Sequence, residues 1–117
     1  MTPKHALIVE DEASLREAYK EILQMMDWTV SLAENGPQAL SHLFTQSNTP
    51  ELVLLDLHLP LGSGLDVLRR IRAEERLKEI RVVAISADSD RLEEAAPLAD
   101  GTILKPIDLE QLIELVS

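Results

Sequence analysis

The chain alternates five short apolar runs with longer stretches in which apolar residues recur every three or four positions. Because parallel strands are joined by helical crossovers, this alternation is typical of a parallel sheet wrapped by helices. Residues 52–55 and 82–85 are apolar without alternation, as expected of central strands that are buried on both faces. We therefore predict an α/β fold with five strands, at residues 6–9, 28–33, 52–55, 81–85 and 101–104.

The stretches between the runs predict five helices. In the first stretch Ser14 precedes Glu17 by three residues, which is the spacing of a capping box at the start of a helix. The predicted apolar face of this helix consists of Leu15, Ala18, Ile22 and Met25 or Met26. The other helices are predicted after the turn at 35–37, after Gly64, within 88–99 and after a cap at Asp108. Pro97 should keep the fourth helix short.

Composition narrows the function classes. The 117 residues suit a single domain, 1–117, without an output domain. The absence of cysteine excludes thiol redox chemistry and fits a cytoplasmic protein, and no apolar run is long enough to span a membrane. A formal charge of −10 disfavours direct binding to nucleic acid. Most of the basic residues cluster, and we expect them to form a solvated helix face: Arg69, Arg70, Arg72, Arg76, Lys78 and Arg81.

Polar residues with a common chemistry follow four of the predicted strands. They are Glu10, Asp11 and Glu12 after the first strand, Asp56 after the third, Ser86 after the fourth and Lys105 after the fifth. The carboxyl ends of parallel strands form the edge at which open α/β sheets bind ligands, so we expect these side chains to converge. One such Asp alone is often a turn former or a helix cap. Suitable residues at four strand ends together favour a functional site.

Carboxylates, a hydroxyl and an ammonium at one edge suggest phosphoryl chemistry. Crowded carboxylates repel one another unless a cation neutralises them, and oxygen ligands without His or Cys favour magnesium. Beside such an ion and Lys105, Asp56 would stay ionised and could attack phosphorus as a nucleophile. Lys105 and the ion would also offset the charge on the transferring phosphoryl group.

The order and spacing of these motifs resemble the response regulator receiver domains of two-component signalling, from about residue 5 to residue 116. The matching segments are Ile-Val-Glu-Asp-Glu at 8–12, Asp-Leu-His-Leu-Pro at 56–60 with Gly64 beyond it, Ile-Ser-Ala at 85–87 and Leu-Lys-Pro at 104–106. The resemblance implies a doubly wound, five-stranded parallel sheet in the flavodoxin-like order 2-1-3-4-5, with helices on both faces. It also implies a cis peptide bond before Pro106.

The same resemblance implies the roles of the acidic residues. Asp56 would accept a phosphoryl group from a phosphohistidine donor, namely a histidine kinase or a histidine phosphotransfer domain. Asp11, Asp56 and the backbone carbonyl of His58 would bind Mg²⁺, and Glu10 would act through water. The chain would then be a phosphorylation switch, a monomer or weak dimer that catalyses only its own phosphoryl transfer and autodephosphorylation.

Ser86 and Lys105 would each contact a phosphoryl oxygen, but one nearby position departs from the family pattern. Three residues before Lys105, where many receivers carry a Tyr or Phe that swings inward on phosphorylation, this chain has Thr102. The usual coupling of hydroxyl to aromatic side chain cannot operate in that form. We predict instead that phosphorylation mainly reorders the segment 86–99.

The same residues bear on three other functions. The alternative is a pseudo-receiver, which binds partners without phosphorylation. This reading would be favoured if Glu10, Asp11, Asp56 or Lys105 were unsuited to phosphoryl transfer, but all four are suited to it. An aspartyl phosphatase generally needs a second acid two residues after its nucleophile, and this chain has His58 there. A flavodoxin-like cofactor protein would need a phosphate-cradling loop after the first strand, and the sequence has none.

Overall fold

The computed structural model describes residues 4–45 and 49–117, in which strands and helices alternate as the sequence predicts. The strands are β1 Lys4–Val9, β2 Trp28–Ala33, β3 Leu52–Asp56, β4 Arg81–Ser86 and β5 Gly101–Leu104. The helices are α1 Ala13–Met25, α2 Gly36–Thr45, α3 Gly64–Ala73, α4 Ser89–Ala95 and α5 Leu109–Val116.

The sheet is parallel throughout and has the order β2-β1-β3-β4-β5, which confirms the predicted topology. Every residue of β3 is buried, and so is every residue of β4 after Arg81. Successive side chains of a strand point to opposite faces, so the apolar runs feed two separate cores. Leu7 and Val53 belong to the core shared with α2, α3 and α4, whereas Ile8 and Leu54 belong to the core shared with α1 and α5.

The predictions for α1 were partly wrong. Its N-cap is Glu12, without a side-chain cap bond, and the Ser14 hydroxyl instead donates to Glu12 Oε1 at 3.0 Å. The buried residues are Tyr19 and Leu23, whereas Ala18 and Met25 are exposed. Leu15, Ile22 and Met26 pack against the same core, as predicted, and Tyr19 and Leu23 complete the buried face.

The cap at Asp108 and the short fourth helix are confirmed, and α2 and α3 begin at Gly36 and Gly64, one or two residues earlier than predicted. Asp108 caps α5 by accepting a bond from Glu110 N at 3.0 Å, and Asn35 Oδ1 accepts from Gln38 N at 2.8 Å. Helix α4 has 7 residues, ends before Pro97 and is capped by Asp88.

Arg72 corrects the prediction of a solvated basic face. Its guanidinium donates to the carbonyl oxygens of Leu98 (2.6 Å), Ile80 (2.6 Å) and Lys78 (3.0 Å), and it pairs with Asp100 at 2.9 Å. The side chain is 19% exposed. Arg72 thus ties α3 to the segments that enter β4 and β5. It stabilises the fold because these carbonyls need donors there.

Trp28, the one tryptophan of the chain, opens β2 at the amino end of the sheet. It is 3% exposed and belongs to the core beneath α1 and α5. The Lys4 ammonium lies 4.6 Å from the ring centroid and the Arg81 guanidinium 5.9 Å, so the ring has cation–π contacts with both. Trp28 therefore marks the end of the sheet opposite the carboxyl ends of the strands.

Candidate functional site

The polar residues at the strand ends converge, as predicted, at the carboxyl edge of the sheet. They line a cleft of about 680 Å³ between the loops that follow β1, β3, β4 and β5. Its lining residues are Glu10, Asp11, Glu12, Asp56, His58, Ser86, Ala87, Asp88, Arg91 and Lys105. The cleft lies where parallel strands of an open α/β sheet ordinarily present a ligand site.

Lys105 bridges two buried carboxylates at the floor of the cleft. Its ammonium lies 3.0 Å from Asp56 Oδ2 and 3.3 Å from Glu10 Oε1. Asp56 is 3% exposed and Glu10 is 1% exposed, so both charges are largely removed from water. Such buried carboxylates are stable only with a cation and hydrogen-bond donors close by, and Lys105 supplies the cation.

The crowding of charge shifts two pKa values. Burial, followed by the hydrogen bond and the charge of Asp56, raises the pKa of Glu10 to about 7. Burial alone would lower the pKa of Lys105, but the hydrogen bond to Asp56 and the charges of Asp56 and Glu10 raise it above its ordinary value. Lys105 is thus held as an ammonium, while Glu10 takes up a proton more readily than an exposed glutamate does.

Backbone donors fix the remaining carboxylate oxygens. Asp56 Oδ1 accepts from His58 N at 2.9 Å, and Glu10 Oε2 accepts from Glu12 N at 3.2 Å. The loop after Asp56 closes against Gly64, where a Cβ atom would lie 2.6 Å from Leu57 Cα. Because that space is taken by backbone, only glycine fits there without displacing the loop that carries Asp56 and His58.

Arg16 supports the loop after β1, a role that its position in the sequence does not indicate. Its guanidinium donates to the carbonyl oxygens of Glu10 at 2.9 Å and Asp11 at 3.3 Å, and it pairs with Glu34 at 3.4 Å. An arginine at the start of a helix looks like any solvated side chain in the sequence. Only the curvature of the loop brings those carbonyls within its reach.

Ser86 and Asp88 connect the cleft to α4. The Ser86 hydroxyl, on a residue that is 2% exposed, accepts from Asp88 N at 3.0 Å. Asp88 caps α4 by accepting from Asp90 N at 2.9 Å, and Arg91 Nε lies 3.8 Å from Asp88 Oδ2. Arg91 was absent from the predicted site because nothing in its sequence position shows that α4 presents it to the cleft.

The acidic residues fit a hard divalent cation. Glu10, Asp11 and Asp56 each offer a carboxylate oxygen, and these oxygens lie within 4.8 Å of one another. The donors are all oxygen, and a divalent ion would offset both the burial of Glu10 and its repulsion from Asp56, which together raise the pKa of Glu10. Such a set suits magnesium or calcium better than a softer metal.

Two further expectations concern β5 and the residues after it. The peptide bond between Lys105 and Pro106 is cis, as the resemblance implied. Thr102 is partly buried in β5 and pairs in register with Ala84 of β4. Where the family pattern places an aromatic ring, this chain therefore has a small side chain beside α4.

Within residues 4–45 and 49–117, no helix combines the length and apolar character needed to cross a membrane.

Comparison with known sequences agrees with the geometry. The sequence model described as the response regulator receiver domain matches residues 6–117. The chain is 28% identical to the polar-differentiation response regulator DivK of Brucella anthropi, over 97% of the chain and 94% of DivK. It is 33% identical to the phosphate regulon transcriptional regulatory protein PhoB of Pseudomonas aeruginosa, over 97% of the chain and 50% of PhoB. The chain thus spans nearly all of one relative and half of the other.

Other matches extend this range. A segment covering 74% of the chain is 35% identical to hybrid signal transduction histidine kinase E of Dictyostelium discoideum, of which it spans 5%. Among solved structures, response regulator protein TrrA from Thermotoga maritima in complex with Mg(2+)-BeF is 34% identical, with a TM-score of 0.84. That match covers 97% of this chain and 96% of the TrrA chain.

Proposed function

The chain belongs to the response regulator receiver family of two-component signalling, and from that membership we propose that Asp56 is the residue through which it acts as a phosphorylation-dependent switch. The observation that carries this assignment is the Asp56 carboxylate itself. It ends a buried strand, lines an open cleft and is held by His58 N and the Lys105 ammonium. A carboxylate fixed in this way is oriented as a nucleophile before the donor arrives.

The proposed step is an in-line transfer from a phosphohistidine. A carboxylate oxygen of Asp56 forms a P–O bond as the P–N bond of the donor breaks, and the imidazole leaves with the electron pair. Lys105 follows the developing charge from Asp56 to a phosphoryl oxygen, and the Ser86 hydroxyl donates to another. Ser86 accepts from Asp88 N through its oxygen and donates to no acceptor among residues 4–45 and 49–117, so its hydrogen would be available for this bond.

Glu10, Asp11, Asp56 and the carbonyl of His58 would hold Mg²⁺ at the same cleft. The ion would neutralise phosphoryl oxygens during transfer. Arg16 keeps the Glu10 and Asp11 backbone in position, and Lys105 neutralises Glu10 and Asp56. Arg16 thus holds the backbone of the acidic residues, and Lys105 neutralises their carboxylates.

The partner we propose is a histidine kinase or a histidine phosphotransfer domain, acting on a monomer or weak dimer in the cytoplasm. The formal charge of −10 disfavours binding to a nucleic acid backbone. The same cleft would catalyse autodephosphorylation, in which water attacks phosphorus, the P–O bond to Asp56 breaks and inorganic phosphate leaves. No other reaction is proposed for the domain.

Intact-mass measurement after incubation with acetyl phosphate and Mg²⁺ tests the assignment. We expect the parent to gain one phosphoryl group and Asp56→Asn to gain none. Asp66→Asn is the matched control, because Asp66 is an exposed acid on α3 outside the cleft. Labelling of Asp56→Asn to the parent's level would refute the assignment, and a parent that stays unlabelled would favour the pseudo-receiver.

A further inference from the structure

Two basic residues line the cleft within the part of the chain that the structure describes, and they differ in how strongly they are paired with carboxylates. Lys105 is engaged by Glu10 and Asp56 at 3.3 and 3.0 Å. Arg91 has a single ion pair among the described residues, with Asp88 at 3.8 Å, and its side chain is 39% exposed. A half-exposed pair at that separation contributes about 0–1 kcal/mol, so Arg91 is easily recruited elsewhere.

Charge in the cleft favours that recruitment. The lining has five carboxylates, on Glu10, Asp11, Glu12, Asp56 and Asp88, against the two cations. A phosphoryl group on Asp56 carries roughly two negative charges in place of the one on the carboxylate, and it brings three strong acceptor oxygens. Lys105 lies between two carboxylates, and as a point charge it would contact one phosphoryl oxygen. The other phosphoryl oxygens therefore need another donor.

The position of Arg91 suits it to that task. It lies in the first turn of α4, which starts three residues after Ser86. The Ser86 hydroxyl and the Arg91 side chain line the same cleft, and Asp88 contacts both. A guanidinium presents several N–H groups in a planar fork, which matches two oxygens of one phosphoryl group.

We propose that Arg91 binds the phosphoryl group on Asp56, exchanging its weak pair with Asp88 for a charge-assisted contact with phosphoryl oxygens. This inference rests on the proposed function. The exchange moves the first turn of α4 toward the cleft, while Asp88 keeps its cap bond to Asp90 N. Arg91 thereby links phosphorylation to α4 in a chain whose β5 has Thr102 where an aromatic switch is usual.

The test compares beryllofluoride, a phosphoryl mimic, with Mg²⁺ alone, because the two carry opposite charge. Arg91→Ala should weaken beryllofluoride binding in saturating Mg²⁺ by about tenfold, the effect of losing one charge-assisted contact. The affinity for Mg²⁺ alone, followed by NMR shifts at Asp11, should stay the same or rise, since a cation leaves an acidic cleft. Arg91→Lys, which keeps the charge without the fork, should be intermediate.

Arg69→Ala is the matched control, because Arg69 has a similar exposed pair with Asp66 on α3, at 3.4 Å and outside the cleft. It should change neither affinity. Arg91→Ala that binds beryllofluoride as tightly as the parent, or that loses beryllofluoride and Mg²⁺ equally, would overturn the role of Arg91. A parent that binds no beryllofluoride and accepts no phosphoryl group would overturn the proposed function as well.

Discussion

Replacing Arg72 with Met should lower the free energy of unfolding far more than replacing an exposed arginine. The sequence alone does not distinguish Arg72 from an exposed arginine. Met keeps the apolar stem but removes the guanidinium that donates to Leu98 O and Ile80 O at 2.6 Å each. Hydrogen bonds to charged groups contribute about 1.5–3 kcal/mol each. Because Arg72 is 19% exposed and water can reach part of the site, we take the low end for both bonds and expect a loss of about 3 kcal/mol.

Urea denaturation at neutral pH measures this loss, with an unchanged m-value showing that the unfolded state is the same. Arg69→Met is the control and should cost less than about 1 kcal/mol, because its pair with Asp66 is exposed. Arg72→Lys should recover only part of the loss, since an ammonium cannot reach all the acceptors of the fork. If Arg72→Met and Arg69→Met are equally stable, the reasoning from the carbonyl contacts is wrong.

Three further outcomes are expected. The pKa of Glu10 is raised from 4.5 to about 7, so the folded protein binds more protons than the unfolded chain in that window. The free energy of unfolding of the metal-free protein should therefore fall by up to about 3 kcal/mol as the pH rises from 4.5 to about 7. Denaturation across pH should show a flatter slope for Glu10→Gln, and equal slopes would contradict the assignment. Gly64→Ala should cost about 1–3 kcal/mol and weaken Mg²⁺ binding in a calorimetric titration. Gly36→Ala, whose Cβ would meet Val67 at an ordinary 3.5 Å, should be nearly neutral, and a comparable loss would refute the crowding argument. Hydrogen exchange at 86–99 should change on adding beryllofluoride, and unchanged protection there would exclude this segment as the switch.

The order of elements and the site could be predicted because both depend on local pattern. Buried parallel strands are continuous apolar runs, and the residue after each run must lie at one edge of the sheet. This is why the sequence alone predicts that Asp56, Ser86 and Lys105 lie together, as they do in the cleft.

The arginine contacts could not be predicted, for a physical reason. Arg16, Arg72 and Arg91 are each found on helices, where a solvated arginine gives the same sequence signal as one that reaches a distant carbonyl or a cleft. Their roles depend on segments that come together only in the tertiary fold. The α1 face was predicted incompletely, because Tyr19 and Leu23 are buried with Leu15, Ile22 and Met26 but were not included in it.

Trp28, the source of tryptophan fluorescence in this chain, lies at the end of the sheet remote from the cleft. Trp28 pairs with Lys4, and the strand from Lys4 to Val9 puts about 16 Å of sheet between the ring and the carboxyl edge. Its fluorescence should follow the unfolding of the sheet and remain unaltered by occupancy of the site. A ligand that binds only the folded state raises the unfolding midpoint, and the stabilisation grows with the logarithm of its concentration relative to its Kd. One tryptophan trace, recorded at several ligand concentrations, therefore yields binding constants for ions and phosphoryl mimics that carry no chromophore.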